Sequence, residues 1–280
     1  MAVVKNGIFA YDNGKPVTPQ SLGISLSGIQ TCQQFFNSGS INDNTQKYAL
    51  YKLVADLQNY NIWDKMKAIY PFVGNPDVSS SFELNLKDPN TFRGTFTSGW
   101  TFNNEGITPG ASTYFDTTFN PYINFNSSSF SFGGYTPTNI NDSGYHGASP
   151  PNYLMHSFQS FTRAEAFIPG PTIQQFISYN IGTSGNSGIV GFAMINFSSL
   201  TFTLYNNGVI GLSKAGTVPP SLPNLNMFIG AYNSSGTPAP GGYDNKTISF
   251  YYYSDGLTDT EAANFYTAVQ RFQTTLGRQV

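Results

Sequence analysis

The segment LTFTLYNNGVIGL, residues 200–212, places Leu200, Phe202 and Leu204 in alternation with Thr201 and Thr203, then turns at Asn207-Gly208. Alternation with period two puts one set of side chains on each face of a strand. The two central residues of a type I′ turn both need positive φ, which Asn-Gly supplies, so the segment predicts a β-hairpin. The same pattern recurs on either side. SFELNLKD (81–88) alternates Phe82, Leu84 and Leu86 with polar neighbours. TISFYYYS (247–254) alternates Ile248, Phe250 and Tyr252 with Ser249 and Tyr251. Short strands with one buried face, separated by Gly, Pro, Asn and Ser clusters, predict two sheets packed as an antiparallel β-sandwich from residue 73 onward.

Two helical passages flank this region. Before it, Asp43 precedes a run in which Leu50, Leu53, Val54 and Leu57 share one helical face, with Gln46 three residues past the cap to return its hydrogen bond. NYN (59–61) breaks that run, and Ile62, Met66 and Ile69 begin a second helical stretch that Pro71 ends, which predicts a helical hairpin over 41–72. After it, Thr258 with Glu261 three residues on, and Leu257 before, specify a helix start. Phe265, Val269, Phe272 and Leu276 then form one apolar stripe, so the helix, about 258–276, must lie against the sandwich or a partner. Residues 1–40 mix Gly, Pro and short apolar pieces without a lasting period. They are expected to be either an extended docking arm or a strand pair lying on the main domain.

Of the 280 residues only 10% are charged, and 13 basic against 15 acidic residues leave a net charge of −2. No basic stripe is available for the counterion release that drives nucleic-acid binding, so no nucleic-acid partner is expected. A single cysteine, Cys32, excludes an intrachain disulfide and fits folding in a reducing cytoplasm. The first residues lack a basic region followed by a long apolar run, and no stretch approaches eighteen apolar residues, so neither a signal peptide nor membrane insertion is expected. Asn-x-Ser/Thr sequons, as at Asn196 and Asn245, carry no meaning in a chain this rich in Asn, Ser and Thr.

Chemistry-bearing constellations are sparse. His146 and His156, the only histidines, have no Cys or acidic cluster beside them, so packing or surface roles are expected. Asp116 and Asp142 read as loop-solvating residues in preference to calcium ligands, and no metal or cofactor is expected. GTSGNSG (182–188) lacks the Lys-Ser/Thr of a phosphate loop. The excess lies in aromatics, 18 Tyr and 24 Phe. FGGYTPTNINDSGYHGASPPNY (132–153) and GAYNSSGTPAPGGYDN (230–245) combine Tyr135, Tyr145, Tyr153, Tyr232, Asn233 and Tyr243 with Ser and Gly. This composition suits adaptable recognition loops, with a ring under a sugar and amides at its hydroxyls. Equally open, these tyrosines pin loops to the sandwich or fill subunit contacts.

LVADLQNYNIWDKMKAIYPFVG (53–74), NLKDP (85–89), SGWTFNNEGITPGASTYFDTTFNP (98–121) and the segment 256–280 together resemble a C-terminal module of tailed-bacteriophage structural proteins. Its sandwich is similar to the concanavalin A-like lectin/glucanase, or laminin G-like, fold. The likeness covers roughly 41–280. It implies a virion component of tail, fibre or head surface, made in the host cytoplasm, docked to other virion proteins through the N-terminal arm. A homo-oligomer is implied, a trimer if the part is a fibre. The expected work is attachment to host surface glycans; the alternative is a decoration or assembly subunit that contacts only virion proteins. Glycan cleavage on such a fold needs two carboxylates facing the scissile bond, usually two or four residues apart on one strand. Of Glu83, Glu105, Glu165 and Glu261, the last belongs to the helix cap and Glu105 to a turn-like stretch, while neither Glu83 nor Glu165 has such a neighbour, so no enzymatic activity is expected.

Overall fold

The computed structural model describes residues 10–12, 15–138, 144–148, 155–160, 163–168, 175–180, 190–218 and 221–280. Four helices occur among them: α1 (Leu26–Ser38), α2 (Asn44–Asn59), the single turn α3 (Pro121–Asn124) and α4 (Asp259–Thr275). Most of the remainder is antiparallel sheet, arranged as a β-sandwich. A six-stranded sheet runs in the order Val209–Ala215, Thr201–Asn206, Gly191–Ser198, Phe130–Thr136, Phe250–Ser254, Met66–Tyr70. The opposing sheet runs from Gln175–Asn180 through Arg163–Ile168, Met155–Ser160, Gly144–Ala148, Phe228–Ile229 and Phe115–Asp116 to Thr95–Phe96. The Ala231–Ser234/Thr237–Tyr243 hairpin joins it through a parallel pairing with Gly144–Ala148.

The six-stranded sheet is the middle of three layers, because its alternate residues enter different cores. Phe132, Ile195, Phe197, Leu204, Tyr251 and Tyr253 pack with Phe115, Phe119 and Ile229 of the opposing side. Tyr135, Phe192, Met194, Tyr205, Phe250 and Tyr252 pack with α1, α2 and α4. The expectation of one buried face therefore fails for this sheet: all of Phe250–Ser254 is buried, and Tyr251 is 2% exposed. A tyrosine reads as the polar half of an alternation, yet its ring buries as much apolar area as phenylalanine.

The 200–212 hairpin forms as expected, with φ of 48° at Asn207 and 77° at Gly208. So does α4, capped reciprocally by the Thr258 side chain on the Glu261 N–H and by Glu261 on the Thr258 N–H (2.8 Å). Asp43 caps α2 by accepting the Gln46 N–H at 2.8 Å, but the Gln46 side chain donates to the Gly74 carbonyl (3.2 Å) and does not return to the cap.

Three expectations are corrected. The second helix of the 41–72 hairpin is instead a 3-10 turn, Trp63–Lys65, followed by the strand Met66–Tyr70 on the sheet edge beside Phe250–Ser254. Three residues at helical spacing are too short a sample to outweigh the ladder that a neighbouring strand offers. SFELNLKD is not a strand: Ser79–Glu83 forms a 3-10 turn, and the Asn85 side chain accepts the Ile69 N–H (2.9 Å) where a strand partner would. Residues 26–38, assigned to the arm, form α1, with Ile29, Cys32, Phe35 and Phe36 in the helix-side core. Their i, i+3, i+6, i+7 spacing is obscured by the polar Gln, Ser and Asn residues around it. The helical pair is thus α1 with α2, and the described residues before α1 form the strand pair Ala10–Asp12/Lys15–Val17 and a 3-10 turn, Gln20–Leu22.

Candidate functional site

Of the six residues expected to contact a sugar, two are buried in the fold, Tyr135 and Asn233. Tyr135 lies in a sheet strand, fully buried, and its hydroxyl accepts the Val280 N–H at 2.9 Å. FGGYTP reads as a loop because of its glycines, but Gly133 is there for close approach: a Cβ on it would sit 2.1 Å from the Ala193 carbonyl oxygen. Asn233 is 3% exposed, donates to the Asn226 carbonyl (3.0 Å) and accepts the Gly236 N–H (2.8 Å), closing its hairpin. Both are packing residues, which corrects the expectation for them. Tyr232 and Tyr243 are partly buried on that hairpin. Tyr145 belongs to the Gly144–Ala148 strand, and Tyr153 lies outside the described residues.

His146 is a packing histidine. Its Nδ1 accepts the Gly230 N–H (2.9 Å), which leaves the proton on Nε2, 3.2 Å from the buried Asp244 carboxylate. Burial by itself would raise the Asp244 pKa; the His146 contact and the Lys246 N–H outweigh it and hold the carboxyl below its usual range. Asp116 accepts the Thr118 N–H and an Asn226 amide proton, while Asp142 lies outside the described residues. Among the described residues no group of three or more His, Cys, Asp or Glu comes together.

A groove that the sequence did not announce lies beside the start of α2. A cavity of about 440 Å³ opens between the start of α2, the 72–76 loop, the 103–104 turn and the residues after α4. A second, of about 570 Å³, continues it over the α1–α2 junction, and the two share Ser40 and Asn42. The walls carry Asn42, Thr45, Asn75, Asn103 and Asn104, donors and acceptors of the kind that match sugar hydroxyls.

The floor is held by Arg278, which is 5% exposed. Its guanidinium donates to the carbonyls of Pro71 (2.8 Å), Phe72 (3.1 Å) and Ser249 (3.0 Å) and to the Gln273 side chain (2.6 Å), all neutral oxygens. Burial pulls its pKa down, to about 9, which leaves it cationic at neutral pH. These bonds fix a strained turn, since Phe72 is held at a φ of 42°. At the next bend a Cβ on Gly74 would sit 2.0 Å from the Ser81 hydroxyl, so only glycine lets the loop pass. NNEG reads only as a turn in sequence. Its neighbours across the groove come from positions near 42, 75 and 278, and no local pattern links them.

Two solved structures share the architecture. One is the botulinum neurotoxin serotype D binding domain, at 11% identity over 74% of this chain and 52% of that chain, with a TM-score of 0.52. The other is from botulinum neurotoxin type C, whose cell entry depends on interaction with two ganglioside molecules, at 12% identity over 75% and 52%, with a TM-score of 0.52. This chain spans about half the length of those structures, and at such identity the likeness is one of fold. A scan against protein-family models and a search of curated proteins gave no match. No described helix is long and apolar enough to cross a membrane.

Proposed function

We propose that this chain is the glycan-binding β-sandwich of a tailed-bacteriophage virion protein, and that it acts by recognition without a chemical step. The observation that carries the reading is the groove, where amides and hydroxyls from three separate segments converge over a floor held by Arg278. The fold likeness to a toxin binding domain, and to a structure from a toxin whose cell entry depends on gangliosides, supports the same class of work. The virion setting rests on the sequence resemblance over 41–280. Docking to other virion proteins falls to the residues before α1, as does assembly into a homo-oligomer.

A second reading, a decoration or assembly subunit, draws on the burial of Tyr135 and Asn233 and on the exposed Val209 (68%) and Ile210 (47%) beside the 207–208 turn. Binding of the fluorescently labelled protein to host cells, with competition against phage adsorption, separates the two. Saturable binding that blocks adsorption, and that is lost on Asn103→Ala/Asn104→Ala, is expected of the glycan reading. A folded oligomer that binds no cells and no arrayed glycan would sink it in favour of the assembly subunit.

A further inference from the structure

We infer that the groove selects acidic glycans, the Arg278 floor of the first cavity and Lys47 of the second each favouring a sugar carboxylate; this rests on the glycan-binding reading. The charges lining the two cavities are Lys47, Arg278 and Asp43, two cations against one carboxylate, in a chain whose net charge is −2. Asp43 is already engaged, its Oδ1 accepting the Gln46 N–H at the start of α2. Neither cation has an ion-pair partner among the described residues. Lys47 has its ammonium 5.8 Å from the Phe36 ring centroid, and Arg278 sits over the Phe272 ring at 5.4 Å.

Aromatic faces and carbonyl oxygens tolerate a cation without neutralising it, so each keeps most of its field. At Arg278 that field is weakly screened, because the guanidinium lies under protein and has little water around it. A neutral saccharide would satisfy the wall amides equally well; only an anionic substituent gains from the two cations. The cavities adjoin at Ser40 and Asn42, so an extended chain of two or three residues that lies across the junction offers its acid groups to the cation of either cavity.

Calorimetric titration with tri-galacturonic acid, its methyl ester and a neutral galactotriose, next to an array of acidic and neutral glycans, tests the inference. Acidic members are expected to bind about tenfold more tightly than their neutral counterparts at low salt, a gap of one charge-assisted contact, closing as salt rises. Lys47→Met, a surface change, is expected to cut acidic binding about three- to fivefold more than neutral binding. Asn104→Trp, which fills the exposed rim, should abolish both. Equal binding of acidic and neutral glycans that Asn104→Trp blocks overturns the charge selection and keeps the glycan reading. Acidic binding untouched by either variant puts the site elsewhere and overturns the assignment to this groove. A folded protein that binds no glycan overturns both readings.

Discussion

Asn196 joins the middle layer to the C-terminal helix. It sits in the Gly191–Ser198 strand at 3% exposure, accepting the Leu257 N–H at 2.7 Å and donating to the Leu257 carbonyl at 2.8 Å. Leu257 is itself buried and precedes the Thr258 cap, so this one amide sets where α4 leaves the sheet. Asn196→Ala leaves a buried donor and a buried acceptor unmet, each costing about 1–3 kcal/mol, or about 2–6 kcal/mol together. At roughly 2–4 °C per kcal/mol for large domains, Tm should fall by roughly 5–20 °C. Differential scanning calorimetry reads this directly, and urea unfolding checks that the m-value is unchanged. Asn196→Asp adds a pH signature, because a carboxylate accepts the N–H but faces the Leu257 carbonyl without a proton. Its folded pKa is raised above the unfolded value of about 3.9, so the variant is closest to the parent below that pH and falls behind as pH rises. A Tm for Asn196→Ala within a degree of the parent, or an Asn196→Asp deficit that does not change with pH, would refute this account of the clamp.

Glycines at two turns should respond differently to alanine. Gly208 has a φ of 77° and its Cβ would meet the Tyr266 ring at 2.4 Å, whereas Gly236, at a φ of 96°, has nothing within 4 Å. Gly236→Ala is expected to cost about 1–2 kcal/mol from backbone strain alone, and Gly208→Ala distinctly more, by urea denaturation; equal costs would deny the ring contact. Alkali should unfold the protein steeply. Burial holds the phenols of Tyr70, Tyr252 and Tyr253 well above their usual value, so their stabilisation is complete below the unfolded pKa of about 10 and is lost above it, at about 1.4 kcal/mol per pH unit for each phenol. After exposed phenols such as Tyr122 have ionised, the phenolate absorbance of these three should appear together with loss of near-ultraviolet circular dichroism, and its appearance in the folded state would contradict the account. Cys32 is fully buried and burial pushes its thiol pKa up, so labelling by a thiol reagent is expected only as fast as the protein unfolds.

The candidate site was less legible than the fold. Its residues are Asn, Thr and Ser in three connecting stretches and the first turn of α2, a composition repeated all over this chain, so nothing marked Asn103 or Asn75 above Asn233. Tyrosine in a glycine-rich run drew attention to 132–153, and there the glycines served strand packing at Tyr135. Arg278 gave no sign either, since a lone arginine near a chain end reads as solvated until its partners 206 and 207 residues away are seen.

What the sequence determined by itself was whatever is decided within a few residues. The Thr258–Glu261 box, the Asp43 cap and the Asn207-Gly208 turn each satisfy their own backbone groups locally, and all three stand in the structure. The tertiary structure alone decided what depends on a partner far along the chain. Met66–Tyr70 is a strand because Phe250–Ser254 offers it a ladder, Tyr251 is core because a second sheet covers it, and the groove exists because Arg278 ties the end of the chain to Pro71 and Phe72. Hydrogen-bond and burial energies of that kind are gained only when distant segments meet, and no local pattern encodes which will meet.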